Sequence, residues 1–172
     1  MRAVLDVRAA GIPVIALIGG ANGCFGGMGI VASCCDTVVM SDIARLSMSG
    51  PEVIEASNGV EEFDSRDRGL VWRTTGGKHR YLTGDCDAIV DDDVQAFRNA
   101  AIAVLRRSRP LTLESLEQEH ALLVRRLEAA PPGADAFALW SAIGVVDAAG
   151  VPDLDADAVR ALRPAVAPAR AA

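Results

Sequence analysis

The stretch VIALIGGANGCFGGMGIVASCCD, Val14 to Asp36, limits the fold more than any other part of the chain. Val14 to Ile18 is short, β-rich and apolar on both faces, which predicts a strand buried on both sides of a sheet. An apolar helix is expected from about Phe25 to Cys35, ended by Asp36, with a further strand over Thr37 to Met40. Gly19, Gly20, Gly23, Gly26 and Gly27 crowd the junction, where a turn needs one or two glycines. Gly26, Gly27 and Gly29 make the first turn of the helix intrinsically poor, so they serve something other than helix formation.

A helix N-terminus offers unpaired N–H groups and partial positive charge, and glycines let a ligand approach the main chain without meeting a Cβ. A phosphate-binding P-loop needs Gly-Lys-Ser/Thr at the helix start, and Gly27-Met28-Gly29 fails that test. Gly27, Gly29 and Ala32 match the spacing of a dinucleotide fingerprint, but Gly27 comes nine positions after Ile18, inside the helix rather than directly after the strand. The remaining chemical reading is an oxyanion hole, in which N–H groups such as those of Gly26 and Gly27 hold a thioester oxygen as it becomes an enolate. Close helix-to-strand packing is the structural alternative.

The chain has 172 residues, 51% of them hydrophobic, and a formal net charge of −6. That suits one globular domain with no electrostatic reason to seek nucleic acid. No apolar run is long enough to cross a bilayer, and the N-terminus lacks the order of a secretory signal, so a cytoplasmic location without membrane contact is expected. Cys24, Cys34, Cys35 and Cys86 show neither C-x-x-C pairs nor a disulfide framework, which predicts reduced thiols and no metal site.

MRAVLDVRAA has helical spacing and stops at Gly11, where a left-handed cap belongs. Nothing before Met1 caps this helix, which predicts that the chain begins inside a longer protein, at an internal Met. Arg45 to Ser49 reads as a strand, and GPEVIEASNG as a helix opened by Pro51 and closed by Gly59. EEFDSRDRGLVWRTTGGKHRYLTG reads as a short helix and a mobile loop broken by Gly76 and Gly77. Ala88 to Val90 reads as a strand. DDDVQAFRNAAIAVLRRS is a helix with acids first and arginines last, followed by helices at about Leu113 to Ala129 and Ala134 to Ile143, then a disordered tail over 164–172.

NGCFGGMGIVASCCD resembles the oxyanion helix of the crotonase superfamily. MSGPEVIE is similar to the matching segment of acyl-CoA carboxyltransferase subunits, and EEFDSRDRGLVWRTTGGKHR resembles the β subunits of malonate decarboxylases. The three motifs occur in order, and the resemblance runs from Met1 to about Leu105. It implies an α/β fold, a crotonase-like β-β-α spiral truncated at its N-terminus, with residues 1–105 as a partial carboxyltransferase domain and 106–163 as its C-terminal helical part. It also implies decarboxylation of malonyl thioester on an acyl carrier protein to acetyl thioester. The partners would be a homologous γ subunit and the carrier, and no cofactor would be bound directly beyond the carrier's phosphopantetheine-type group.

In that picture Gly26 and Gly27 are catalytic through their N–H groups, Ser49 and Gly50 line the adjacent wall, and Cys24, Phe25, Lys78, His79 and Arg80 complete the substrate-binding set. Loss of CO₂ needs stabilised negative charge and exclusion of water, not a base, so main-chain donors suffice. The family's upstream turns, which bring the other oxyanion donor, are absent from this sequence, and the isolated chain is expected to be inactive. The alternatives are a carboxyltransferase subunit of a biotin-dependent complex and a truncated, non-catalytic assembly subunit.

Each residue also has a plainer reading. Cys24, just before a helix N-terminus, is either a nucleophile or a small buried residue, and Cys34 and Cys35 read as core. His79 either protonates the enolate or is a solvated loop histidine. Arg66, Arg68, Arg73, Lys78 and Arg80 either dock an acidic carrier or pair with Glu61, Glu62, Asp64 and Asp67. His120 reads as solvent-facing, and Trp72 and Trp140 as packing anchors, the latter against a partner subunit.

Overall fold

A computed structural model describes residues 1–105, 111–130 and 133–162. The chain opens with helix α1 (Arg2–Ala9), which ends as its sequence predicts. Gly11 takes φ +76°, its N–H donates to Arg8 O at 2.9 Å and the Ile12 N–H to Val7 O at 3.2 Å, the paired bonds of a Schellman cap.

Strand β1 (Ile15–Ile18), helix α2 (Gly27–Ser33) and strand β2 (Thr37–Ser41) follow, and β1 pairs with β2 in parallel with Ile15 opposite Thr37. Helices α3 (Pro51–Asn58), α4 (Arg68–Thr75) and α5 (Gly77–Thr83) lead to strand β3 (Ala88–Val90), which lies parallel on the other side of β2. The sheet order is β1-β2-β3, and every residue of the central strand is buried. β1 is an edge: Ile18 is buried but Leu17 is 50% exposed, so the expectation of a strand covered on both faces does not hold.

Helix α6 (Val94–Leu105) packs back across the sheet, α7 (Leu113–Ala129) takes the bounds that its pattern predicts, and α8 (Ala136–Ala142) falls within the expected 134–143, starting two residues later behind its Asp135 cap. A 3₁₀ turn (Val151–Asp153) and helix α9 (Ala156–Ala161), not anticipated from the sequence, complete the described chain. The arginines expected to end α6 and the tail over 164–172 lie outside the described residues. The architecture is α/β. Trp140, Ile143, Val145, Val151 and Val159 share one core with Ile18, Val38, Met40, Leu82 and Ile89, so the C-terminal segments close over the sheet. Trp140 is thus buried within this chain rather than offered to a partner.

Two elements differ from expectation. Arg45 to Ser49 is not a sheet strand; it makes single bridges, Leu46 to Cys24 and Arg45 to Gly76. The bonds Cys24 N–H to Arg45 O (2.8 Å), Ser47 N–H to Cys24 O (3.2 Å) and Leu46 N–H to Thr75 O (2.8 Å) tie three loop segments into a small second layer. The supposed mobile loop at Gly76–Arg80 is helical, because Gly77 lets the start of α5 lie against the end of β2: a Cβ there would overlap the Ser41 carbonyl oxygen.

Candidate functional site

The glycine loop is built from both sides. Gly20, at φ +71°, donates its N–H to Asp92 Oδ1 at 2.8 Å, anchoring the loop to the segment ahead of α6. At the far end Gly29 sits where a Cβ would overlap the Ser47 carbonyl oxygen, so this glycine serves close packing, though of α2 on the bridged 45–48 segment and not on a sheet strand. Gly26 and Gly27 are different: a Cβ on either would meet open space, and both are exposed. Gly26 is the N-cap of α2, at φ +61° and ψ −136°, a conformation that favours glycine.

The Gly26 N–H donates to Met48 O at 3.0 Å. That corrects its expected role as an oxyanion donor, since a bonded N–H is not available to a substrate oxygen. The open donors at the start of α2 are instead the N–H groups of Gly27 and Met28, the first two residues of the helix, whose predecessors cannot accept from them.

Phe25 lies under the loop, with Gly50 close enough that a Cβ there would approach its ring at 3.8 Å. The structure thus brings Phe25, Gly50 and the α2 N-terminus together. Cys24 is half-buried beside them, and burial pushes its thiol pKa up, which argues against a thiolate nucleophile and for the plainer reading. Cys35 is buried core, as expected.

Lys78, His79 and Arg80 do not line this site with free polar groups. Lys78 Nζ donates to Pro152 O at 2.6 Å, and Arg80 donates from Nε to Leu46 O at 2.9 Å and from Nη1 to Asp85 at 2.9 Å. The His79 ring stands 6.0 Å from Trp140, its Nδ1 enclosed without a hydrogen-bond partner. Its pKa is lowered to about 3 by burial, with Arg80 and Arg126 adding to the effect. His79 thus sits half-buried in helix α5 and not in a solvated loop, and its surroundings disfavour an imidazolium near neutral pH. Two of the other basic residues turn to rings: Arg73 lies 4.9 Å from the Phe137 centroid and Arg68 5.5 Å from Trp72.

Arg45 went unnoticed in the sequence. Its guanidinium lies 4.5 Å from the Trp72 centroid and 5.5 Å from Phe25, and it donates to the carbonyl of Ala21 within the glycine loop. The one available signal was a lone cation between Ala44 and Leu46, two residues that are both buried. Ser49 is half-buried beside Gly50. Among the described residues no cluster of three or more His, Cys, Asp or Glu side chains is placed to hold a metal ion, and no helix is long and apolar enough to cross a membrane.

No protein-family model matches the chain. Over 96 residues it is 52% identical to the malonyl-S-ACP:biotin-protein carboxyltransferase MADC of Malonomonas rubra, a match covering 56% of this chain and 30% of that protein. Its fold matches a chain of the Pseudomonas malonate decarboxylase hetero-tetramer crystallised with malonate, at a TM-score of 0.72 and 36% identity. This chain is similar to malonate decarboxylase subunits. That match covers 82% of this chain and 51% of the other. A chain of the Pseudomonas malonate decarboxylase MdcD-MdcE hetero-dimer matches at a TM-score of 0.58 and 34% identity, over 74% of this chain and 50% of that one. The chain therefore spans 30% of the curated relative and about half of each malonate decarboxylase chain that it matches.

Proposed function

We propose that this chain supplies the oxyanion helix of a malonate decarboxylase β-type subunit, acting on malonyl thioester carried by an acyl carrier protein. The fold match to the malonate decarboxylase hetero-tetramer, at 36% identity over 82% of this chain, carries the reading. The second layer of bridges, 24 to 46 and 45 to 76, supports its extension to a crotonase-like spiral.

In the proposed step the bond between the carboxylate carbon and the α-carbon breaks, and its electron pair passes into the thioester as an enolate. CO₂ leaves, and the enolate takes a proton to give acetyl thioester. The N–H groups of Gly27 and Met28 hold the developing negative oxygen, aided by the positive end of α2. Gly26 contributes by shape, its missing Cβ leaving the approach open. Phe25, Ser49 and Gly50 form the adjacent wall. Lys78, His79 and Arg80 support the scaffold instead of touching substrate. Water or a partner subunit delivers the proton, and a homologous γ subunit and the carrier protein complete a cytoplasmic complex.

The test is Gly27→Pro in the assembled complex. Proline is tolerated at the first helical position but has no N–H to donate. Formation of acetyl thioester should fall by about 10²–10³-fold with the complex intact. Unchanged turnover would refute the assignment.

The 52% identity to a biotin-protein carboxyltransferase favours one second reading, transfer of the carboxyl group to biotin on a partner. The α2 chemistry is then the same, and only the fate of CO₂ differs. Labelled malonyl thioester decides: label lost as CO₂ supports decarboxylation, and label retained on a biotinylated acceptor supports transfer. A complex that assembles but turns over neither product would leave the chain as an assembly subunit.

A further inference from the structure

The glycine loop has two tasks that pull apart: it must leave the start of α2 open, and it must hold that start still. Its ends are tied, Gly20 to Asp92 and Gly26 to Met48 O. Between those ties Arg45 reaches the loop twice. Its carbonyl accepts from the Cys24 N–H at 2.8 Å, and its guanidinium donates to the carbonyl of Ala21. The same guanidinium lies 5.5 Å from the ring centroid of Phe25, the residue directly before the Gly26 cap, and 4.5 Å from that of Trp72 in α4.

The loop closes on the Phe25 ring. A Cβ on Gly23 would overlap it, and one on Gly50 would approach it at 3.8 Å. The far side of the stack is anchored too, since Trp72 Nε1 donates to Ile43 O at 3.0 Å and Val71 and Thr75 of the same helix are buried. A continuous line of contacts therefore runs from α4 through Trp72, Arg45 and Phe25 to the cap of α2. Arginine is a poor choice here for stability alone: its Nε is enclosed and has no acceptor among the described residues, which is a cost to the fold. Methionine would lie over the same rings without leaving a buried donor unpaired.

We propose that Arg45 is a positioning residue for the oxyanion donors, fixing through Ala21 and Phe25 the direction in which the Gly27 and Met28 N–H groups point. This rests on the reading of α2 given above, and it assigns Arg45 no contact with the substrate. The donors act only when they meet the oxygen as its charge develops. Displacing them slows the chemical step and leaves binding of the rest of the thioester as it was.

Arg45→Met, Gly27→Pro and the double variant test this in the assembled complex with malonyl thioester on the carrier protein, CO₂ release and carboxyl transfer both counting as turnover. Arg45→Met should lower kcat by about 10–100-fold with KM unchanged. Its urea midpoint should not fall. On the Gly27→Pro background, where one positioned donor is already missing, the same change should cost at least about threefold less. Amide exchange over residues 21–28 should quicken in Arg45→Met while that of β2 and α5 stays as it was. Unchanged kcat, a raised KM in its place, an equal loss on both backgrounds, a lowered urea midpoint or unaltered exchange over 21–28 each overturns the role of Arg45. If Gly27→Pro leaves turnover intact, or the wild-type complex has none, the reading of α2 fails and takes this proposal with it. A loss in Gly27→Pro without one in Arg45→Met overturns the proposal alone.

Discussion

Gly29 and Gly27 are two residues apart and make opposite demands on a side chain. Alanine is favoured over glycine by up to about 1 kcal/mol within a helix, so sequence propensity alone expects both Gly→Ala changes to stabilise. At Gly29 the added Cβ meets the backbone carbonyl of Ser47, which cannot swing aside as a side chain would. Gly29→Ala should therefore lose about 1–3 kcal/mol in urea denaturation. Gly27→Ala meets open space and should leave stability unchanged or raise it slightly. Equal effects at the two sites would disprove this division of roles. The crowding of glycines was legible in the sequence, but their separate duties were not. Which ones face a neighbouring carbonyl depends on residues 18 positions further along the chain, and the engaged N–H of Gly26 depends on Met48 in the same way.

At the scale of elements, capped helices were legible and bridged segments were not. α3 carries its own signals in Pro51 and Gly59, and α7 in its periodicity, so both emerge where expected. The 45–48 segment is shaped by partners near residues 24 and 75, and no local pattern announces them. The join between α5 and α7 is likewise long-range. Burial raises the Asp85 carboxyl pKa, but the Arg126 and Arg80 guanidiniums and their hydrogen bonds outweigh it and the net shift is downward. Arg126→Met should cost about 2 kcal/mol at pH 7, below the roughly 3–5 of a fully buried pair, because Arg80 still faces the carboxylate. The contribution of Asp85 is present above the ordinary carboxylate pKa and is lost as pH falls through its lowered folded value.

His79 acts earlier in an acid titration. Its folded pKa of about 3 lies below the ordinary 6.5, so between those values the unfolded chain takes up a proton that the folded chain refuses. Stability should then fall on acidification by about 1.4 kcal/mol per pH unit from this residue alone. His79→Phe should flatten that slope in urea titrations between pH 7 and pH 4.5. A slope that the substitution does not alter would show that the histidine titrates freely.

Across the whole molecule, the shared core joins the sheet to the segments beyond residue 135, which predicts that they unfold together. Pulling α8 and α9 away would strip β3 and α5 of their cover and open the cluster that also holds Val38, Met40 and Ile89. Urea unfolding followed by circular dichroism and by fluorescence should give coincident transitions. An early loss of the C-terminal helices would contradict a single core.

The placement of the two tryptophans has a practical consequence. Trp140 is 1% exposed in the common core, while Trp72 stands at the surface between the Arg45 and Arg68 guanidiniums, its Nε1 donating to Ile43 O at 3.0 Å. The protein thus contains two optical probes, one reporting on the body and the other on the shelf beside the glycine loop. With Trp140→Phe in hand, the emission of Trp72 alone would register an acyl chain or a partner arriving at that shelf, with no label attached and no turnover required.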